Sequence, residues 1–173
     1  MTQGKLFILL LFVVALILAG FGLYYRYTQT HDVVAFWGPE GSRRIASPDQ
    51  VELWQLKPWS EQSVDSPTSA RISIQDRQYV STETRNVTKA RGFINASSAL
   101  TLNRNYNWNP CDDERVCEPT WTHALLYRRR EGTTVVAVSM DCGWVYSAET
   151  DRVASIKSII EGLARLFQEQ LGS

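Results

Sequence analysis

A chain of 173 residues is long enough for one domain and an appendage, and its 18 basic residues balance 18 acidic ones. Residues 1–25 contain a single charged side chain, Lys5, so the rest carries 17 basic against 18 acidic residues and a charge of −1. That balance excludes the basic excess by which a nucleic-acid binder is recognised, and about 150 residues bury enough surface to fold without a metal or disulfide.

The appendage comes first. Leu6 to Tyr25, LFILLLFVVALILAGFGLYY, is an uncharged run of twenty residues. As a helix rising ~1.5 Å per residue it is ~30 Å long, the thickness of a bilayer's hydrocarbon core. Tyr24, Tyr25 and Tyr27 around Arg26 suit the headgroup layer, so residues 6–25 are read as a transmembrane anchor in contact with lipid. The rival reading is a cleaved signal peptide, with Lys5 as its charged start, Leu6 to Leu18 as its apolar core and Gly20 and Gly22 as its small residues. Phe21 and the continued apolar run favour the anchor. Basic residues lie on both sides, Lys5 before the span and Arg26, Arg43 and Arg44 after it. A first apolar segment so near the amino terminus acts as an uncleaved signal anchor, which places residues 26–173 outside the cytoplasm.

Residues 26–50 mix "VVAFWG" with "PEGSRR" and "SPDQ", clusters of turn chemistry that predict a juxtamembrane stalk. The globular domain is then expected over 51–173. Val51 to Leu56, VELWQL, alternates with period two and is stopped by Lys57 and Pro58, which predicts a strand. Ile72 and Ile74 in RISIQDRQYVS predict a second. From Thr82 the spacing of Val87, Ala90, Phe93, Ile94, Ser97 and Leu100 turns helical, with Glu83 near the positive end of the dipole, and predicts a helix over 82–101. A polar loop follows with Tyr106, Trp108 and two cysteines. Residues 121–129 and 133–141 read as a β-hairpin turning at Arg130, Glu131 and Gly132, and GWVYS as a further short strand. Val153, Ile156, Ile159, Ile160, Leu163, Leu166, Phe167 and Leu171 form one apolar face of a helix expected over 150–171. The sum is an α+β fold: a transmembrane helix, then an antiparallel sheet with two helices packed on one face.

Three cysteines, Cys111, Cys117 and Cys142, allow one internal bridge and leave one thiol over. Outside the cytoplasm a disulfide is the default, and Cys117 with Cys142 would tie the outer ends of the hairpin, while Cys111 with Cys117 would close only a small loop. The alternative adds His123 to Cys111, Cys117 and Cys142 as four zinc ligands, although no two cysteines have finger spacing. A catalytic alternative combines His123 with Ser139, Asp141 or Cys142. No nucleophile elbow, phosphate-binding glycine loop or paired zinc histidines occur, so the chain is read as a non-enzyme without cofactor. Arg128, Arg129 and Arg130 form a basic run suited to an acidic partner or lipid phosphates. Of six tryptophans, Trp37 and Trp59 stand beside turn residues and are read as exposed anchors for a partner protein. The triplets at Asn86 and Asn95 fit glycosylation but lie on the predicted helix and are set aside.

The hairpin with its upstream strand resembles a group of small bacterial proteins, often exported or membrane-attached. In these a C-F-x-P-x-H-g segment begins one strand and an I-C-F-x-C segment ends the next. Cys117, Pro119 and a shifted His123 match the first, and Val138 to Cys142, V-S-M-D-C, match the second with Ser139 in place of its first cysteine. The resemblance covers about residues 45–170 and implies a fold and an exported setting, with no assigned activity; with the signal-anchor topology the expected compartment is the periplasm. The expectation is a single-pass, non-catalytic accessory subunit whose domain docks on a larger membrane or envelope complex. A Cys/His zinc or thiol-redox protein and a module neutralising an envelope toxin or enzyme are the alternatives.

Overall fold

The structure, a computed structural model, describes residues 3–60, 70–109 and 117–172. A long first helix, α1 (Gln3–Ala46), leads into strands β1 (Gln50–Pro58), β2 (Arg71–Ile74) and β3 (Arg77–Asn86). A short helix α2 (Phe93–Ala99) and a 3-10 turn (Asn103–Asn105) precede β4 (His123–Arg129), β5 (Gly132–Ser139), β6 (Trp144–Ser147) and β7 (Arg152–Ser155), and helix α3 (Ile160–Leu171) closes the chain. The strands form one antiparallel sheet in the order β2-β3-β1-β4-β5-β6-β7. The α+β class and the helices on one face are as expected.

Alternation divides the sheet's side chains cleanly. Leu53, Leu125, Tyr127, Val136, Val138 and Val145 point to one face, where the second half of α1, α2 and α3 bury them beneath Phe36, Trp37, Phe93 and Phe167. On the other face Trp54, Ala124, Ala137, Tyr146 and Val153 stand opposite one another across five strands. Small alanines in the middle of that row, flanked by large aromatics, let the sheet curl toward this side. A register shift at Gln55/Leu56, where β3 carries Thr82 as an extra residue, adds local twist. Trp54, Leu126, Trp144 and Tyr146 are thereby buried with no helix among the described residues covering them.

Three sequence expectations are corrected. The stalk over 26–50 is helix as far as Ala46, and Val33, Phe36, Trp37 and Ile45 within it belong to the core. The Gly38-Pro39 pair breaks α1 but does not end it: Gly38 takes φ 73, ψ 160, and Pro39, with φ already set for a first helical position, starts the next turns. Proline has no N–H to give, so carbonyls before the break lose helical partners, and two are met from 114 and more residues away. Thr150 Oγ1 donates to Phe36 O at 2.5 Å and Arg152 Nη1 to Ala35 O at 3.5 Å. Beyond the break Arg44, with a side chain only 12 % exposed, bonds Thr134 and Glu149 and fastens the last turn to the sheet.

The helix expected over 82–101 is strand to Asn86 and helix only over Phe93–Ala99. Glu83 to Asn86 pair with β1, Asn86 Oδ1 accepts from the Thr88 N–H and hydroxyl, and Gly92 at φ 84 resets the chain before α2. The helix expected over 150–171 begins only at Ile160, because Arg152–Ser155 pair with β6. Val153 and Ala154 point to opposite sides of that strand, so the apolar spacing that fits a helix also fits β7.

Candidate functional site

The structure pairs Cys117 with Cys142, with Cα atoms 5.8 Å apart, an ordinary disulfide separation. The bond ties the segment entering β4 to the turn leaving β5, and Cys142 is buried. Two of the four sulfur and nitrogen atoms of the zinc alternative are thus held as a disulfide rather than as thiolates. Cys111 lies outside the described residues. His123, the remaining member, packs its ring 5.0 Å from that of Phe167 and shares a 3.0 Å hydrogen bond with Thr122. Burial holds its pKa below the usual imidazole value. Among the described residues no three His, Cys, Asp or Glu side chains converge as a metal site.

The triad alternative fails on register. His123 stands opposite Val138 and faces the helices, whereas Ser139 stands opposite Trp144 on the other face. The Ser139 hydroxyl is bonded to Asp141 instead.

Of the expected partner anchors, Trp37 is fully buried. Its indole N–H points to Leu100 O and Tyr106 Oη, both at 3.0 Å, and Tyr106 Oη itself donates to Leu100 O at 2.6 Å. Burial keeps that phenol neutral far above the usual tyrosine range. Trp37 is therefore a joint between α1 and the 100–106 segment. Trp59 is half-buried with the Arg71 guanidinium 5.6 Å from its ring centre. Arg128 pairs with Glu52 at 3.0 Å, Arg129 is half-buried, and the Arg130 backbone N–H donates to Asp49. This run ends β4 and faces the last turn of α1 through Arg44 and Gly132.

The concave site lies elsewhere. Because the sheet curls, the β2–β3 turn from one edge and the β6–β7 turn from the other line one open cleft of about 680 Å³ with the 118–121 segment. Trp121, Tyr79 and Tyr146 form its buried wall, and Asp76, Arg77, Glu118 and Asp151 its exposed rim. Tyr146 Oη donates to Asp151 Oδ1 at 2.9 Å, and the Gln75 backbone hydrogen-bonds the same hydroxyl. Burial, then the bond to Asp151, raises the Tyr146 pKa. Arg77 and Glu118 pair at 2.8 Å across the rim, an exposed contact of small energetic weight. Gln75 and Asp151, the only non-glycine residues with positive φ among those described, at 52° and 53°, sit in the two turns that meet there.

Three carboxylates against one guanidinium suit this cleft to a cationic, hydrogen-bond-donating chain segment. Sequence reading missed it because residues 75–79, 118–121 and 146–151 meet only through the curl. The QD turn between alternating segments was its one local signal.

No protein-family model matches the chain, and neither a curated protein nor a solved structure matches it.

Proposed function

We propose that the chain is a single-pass membrane-anchored, non-catalytic accessory subunit whose extracytoplasmic domain docks on a larger membrane or envelope complex. The observation that carries this reading is the division of α1. One helix near the amino terminus is long and apolar enough to cross a bilayer, with none of its most apolar eighteen-residue window buried. The same helix continues into the core at Val33, Phe36 and Trp37. A membrane in which the first half is embedded therefore holds the domain at a set distance and angle. The disulfide supports an oxidising compartment for the domain, in line with a signal anchor.

The cleft suits this placement. Its β6–β7 rim is joined to α1 at Ala35 and Phe36, eleven residues past Tyr25, or roughly 16 Å along the helix from the end of the span. A positively charged juxtamembrane segment of a neighbouring membrane protein reaches that height. A photoreactive amino acid at Gln75, incorporated into the full chain in intact membranes, is expected to give one discrete heavier adduct on irradiation. Irradiation yielding only the monomer, with the same probe at exposed Lys89 as comparison, would contradict the docking role.

A further inference from the structure

The described residues that most closely tie the domain to the foot of α1 are those of the turn between α2 and the aromatic residue Tyr106. The Asn103 side-chain amide grips the backbone of α1 as a peptide group would. Its Nδ2 donates to Thr28 O at 2.8 Å and to Asp32 Oδ2 at 3.1 Å, and its Oδ1 accepts from the Val33 N–H at 2.9 Å. On either side of this turn the chain is tied much further along α1. Leu100 O is bonded by Trp37, twelve residues past Tyr25, and Tyr106 Oη bonds that same carbonyl. Asn105 Nδ2, donating to Ala99 O at 2.8 Å, closes the loop. Residues 101–105 thus dip from the level of Trp37 to that of Thr28 and return.

Thr28 is only three residues past Tyr25, about 4.5 Å along a helix. Tyr24, Tyr25 and Tyr27 there are exposed, as the aromatic belt of a bilayer requires. Arg104, at the tip of the dip, is exposed and makes no ion pair among the described residues, and Arg26 is exposed on α1 at the same level. Asp32, an opposing charge on α1 among the described residues, is engaged by Asn103 and by His31 at 3.2 Å.

We propose that the 101–105 turn is a foot resting in the headgroup layer, where Arg104 and Arg26 bind the phosphates of anionic lipids. A cation held beside such a surface is attracted to it, and salt screens the attraction. The foot rests on the reading of residues 6–25 as a span, so the test reports on both. The full chain, with Cys111→Ser and the native disulfide intact, is reconstituted in phosphatidylcholine vesicles with and without phosphatidylglycerol. Nitroxide labels are placed singly at Leu16→Cys, Ser98→Cys, Arg104→Cys and Arg130→Cys. Collision with oxygen should dominate at 16, and collision with a water-soluble nickel chelate should be severalfold lower at 104 than at 130. With the label at 98, phosphatidylglycerol should reduce label mobility in the chain that keeps Arg104 and have no such effect in Arg104→Glu. An aqueous signal at 16 would overturn the span and the foot together. A bilayer signal at 16 with 104 as accessible as 130, or an unchanged lipid response in Arg104→Glu, would overturn the foot alone. Arg104 has no ion pair among the described residues to lose, and matching thermal melts of the two chains confirm that both are folded.

Discussion

Trp37 and His123 show how single side chains in this protein serve packing where their surroundings in sequence suggested chemistry or contact. Trp37 stands between turn-like residues, and only the long-range fold shows that its indole fills the joint between α1, Leu100 and Tyr106. Trp37→Ala should cost about 3–5 kcal/mol, since it opens a cavity and leaves a buried phenol short of a partner. Chemical denaturation of the two full chains in detergent measures the difference. His123 gives a pH signature. Its pKa in the fold lies below the ordinary ~6.5 of the unfolded chain, so the unfolded state takes up the proton first. Its contribution is fully present above about pH 6.5 and is lost as the pH falls from there toward the folded value. Between pH 7 and 5 the stability of the native chain should therefore fall more steeply than that of His123→Phe. Equal slopes would show that the imidazole is not held neutral against Phe167.

Among elements, those whose signal is local were legible. Twenty apolar residues announced the candidate span, and alternation on both sides of an Arg-Glu-Gly turn announced the β4–β5 hairpin, which the structure forms from His123 to Ser139. Gly38-Pro39 was misread because a Gly-Pro pair looks the same whether it ends a helix or restarts one. What decides here is distant capping by Thr150 and Arg152 and packing of Val33, Phe36 and Ile45 on the sheet. The same competition converted Thr82 to Asn86 and Arg152 to Ser155 from expected helix to strand, since each segment found a ladder partner that its own periodicity does not reveal. The disulfide ties two elements already joined through the β4–β5 pairing. Replacing both Cys117 and Cys142 by Ser should lower stability by roughly 2–4 kcal/mol, as expected for releasing a loop of 25 residues, without changing the fold. Thermal unfolding followed with and without reductant should show the loss in the native chain alone. A native chain indifferent to reductant would contradict the bridge.

For the molecule as a whole, the curl of the sheet and the continuity of α1 decide what faces what. The curl brings turns from opposite edges into one acidic cleft, and this could not be read from sequence because its residues are scattered over more than seventy positions. The disulfide, by contrast, matched the pairing favoured on position and compartment, while the third cysteine lies outside the described residues. A domain posed by its membrane helix requires α1 to act as one rigid element from the proposed span to the core. Hydrogen exchange on the full chain in lipid nanodiscs addresses this directly. Slow exchange should run unbroken from the span through residues 26–32 to Trp37, sustained where Asn103 grips Thr28 and Val33. Exchange at the free-chain rate over 26–32, with protection resuming only in the domain beyond, would restore the flexible stalk and contradict a domain posed by its own membrane helix.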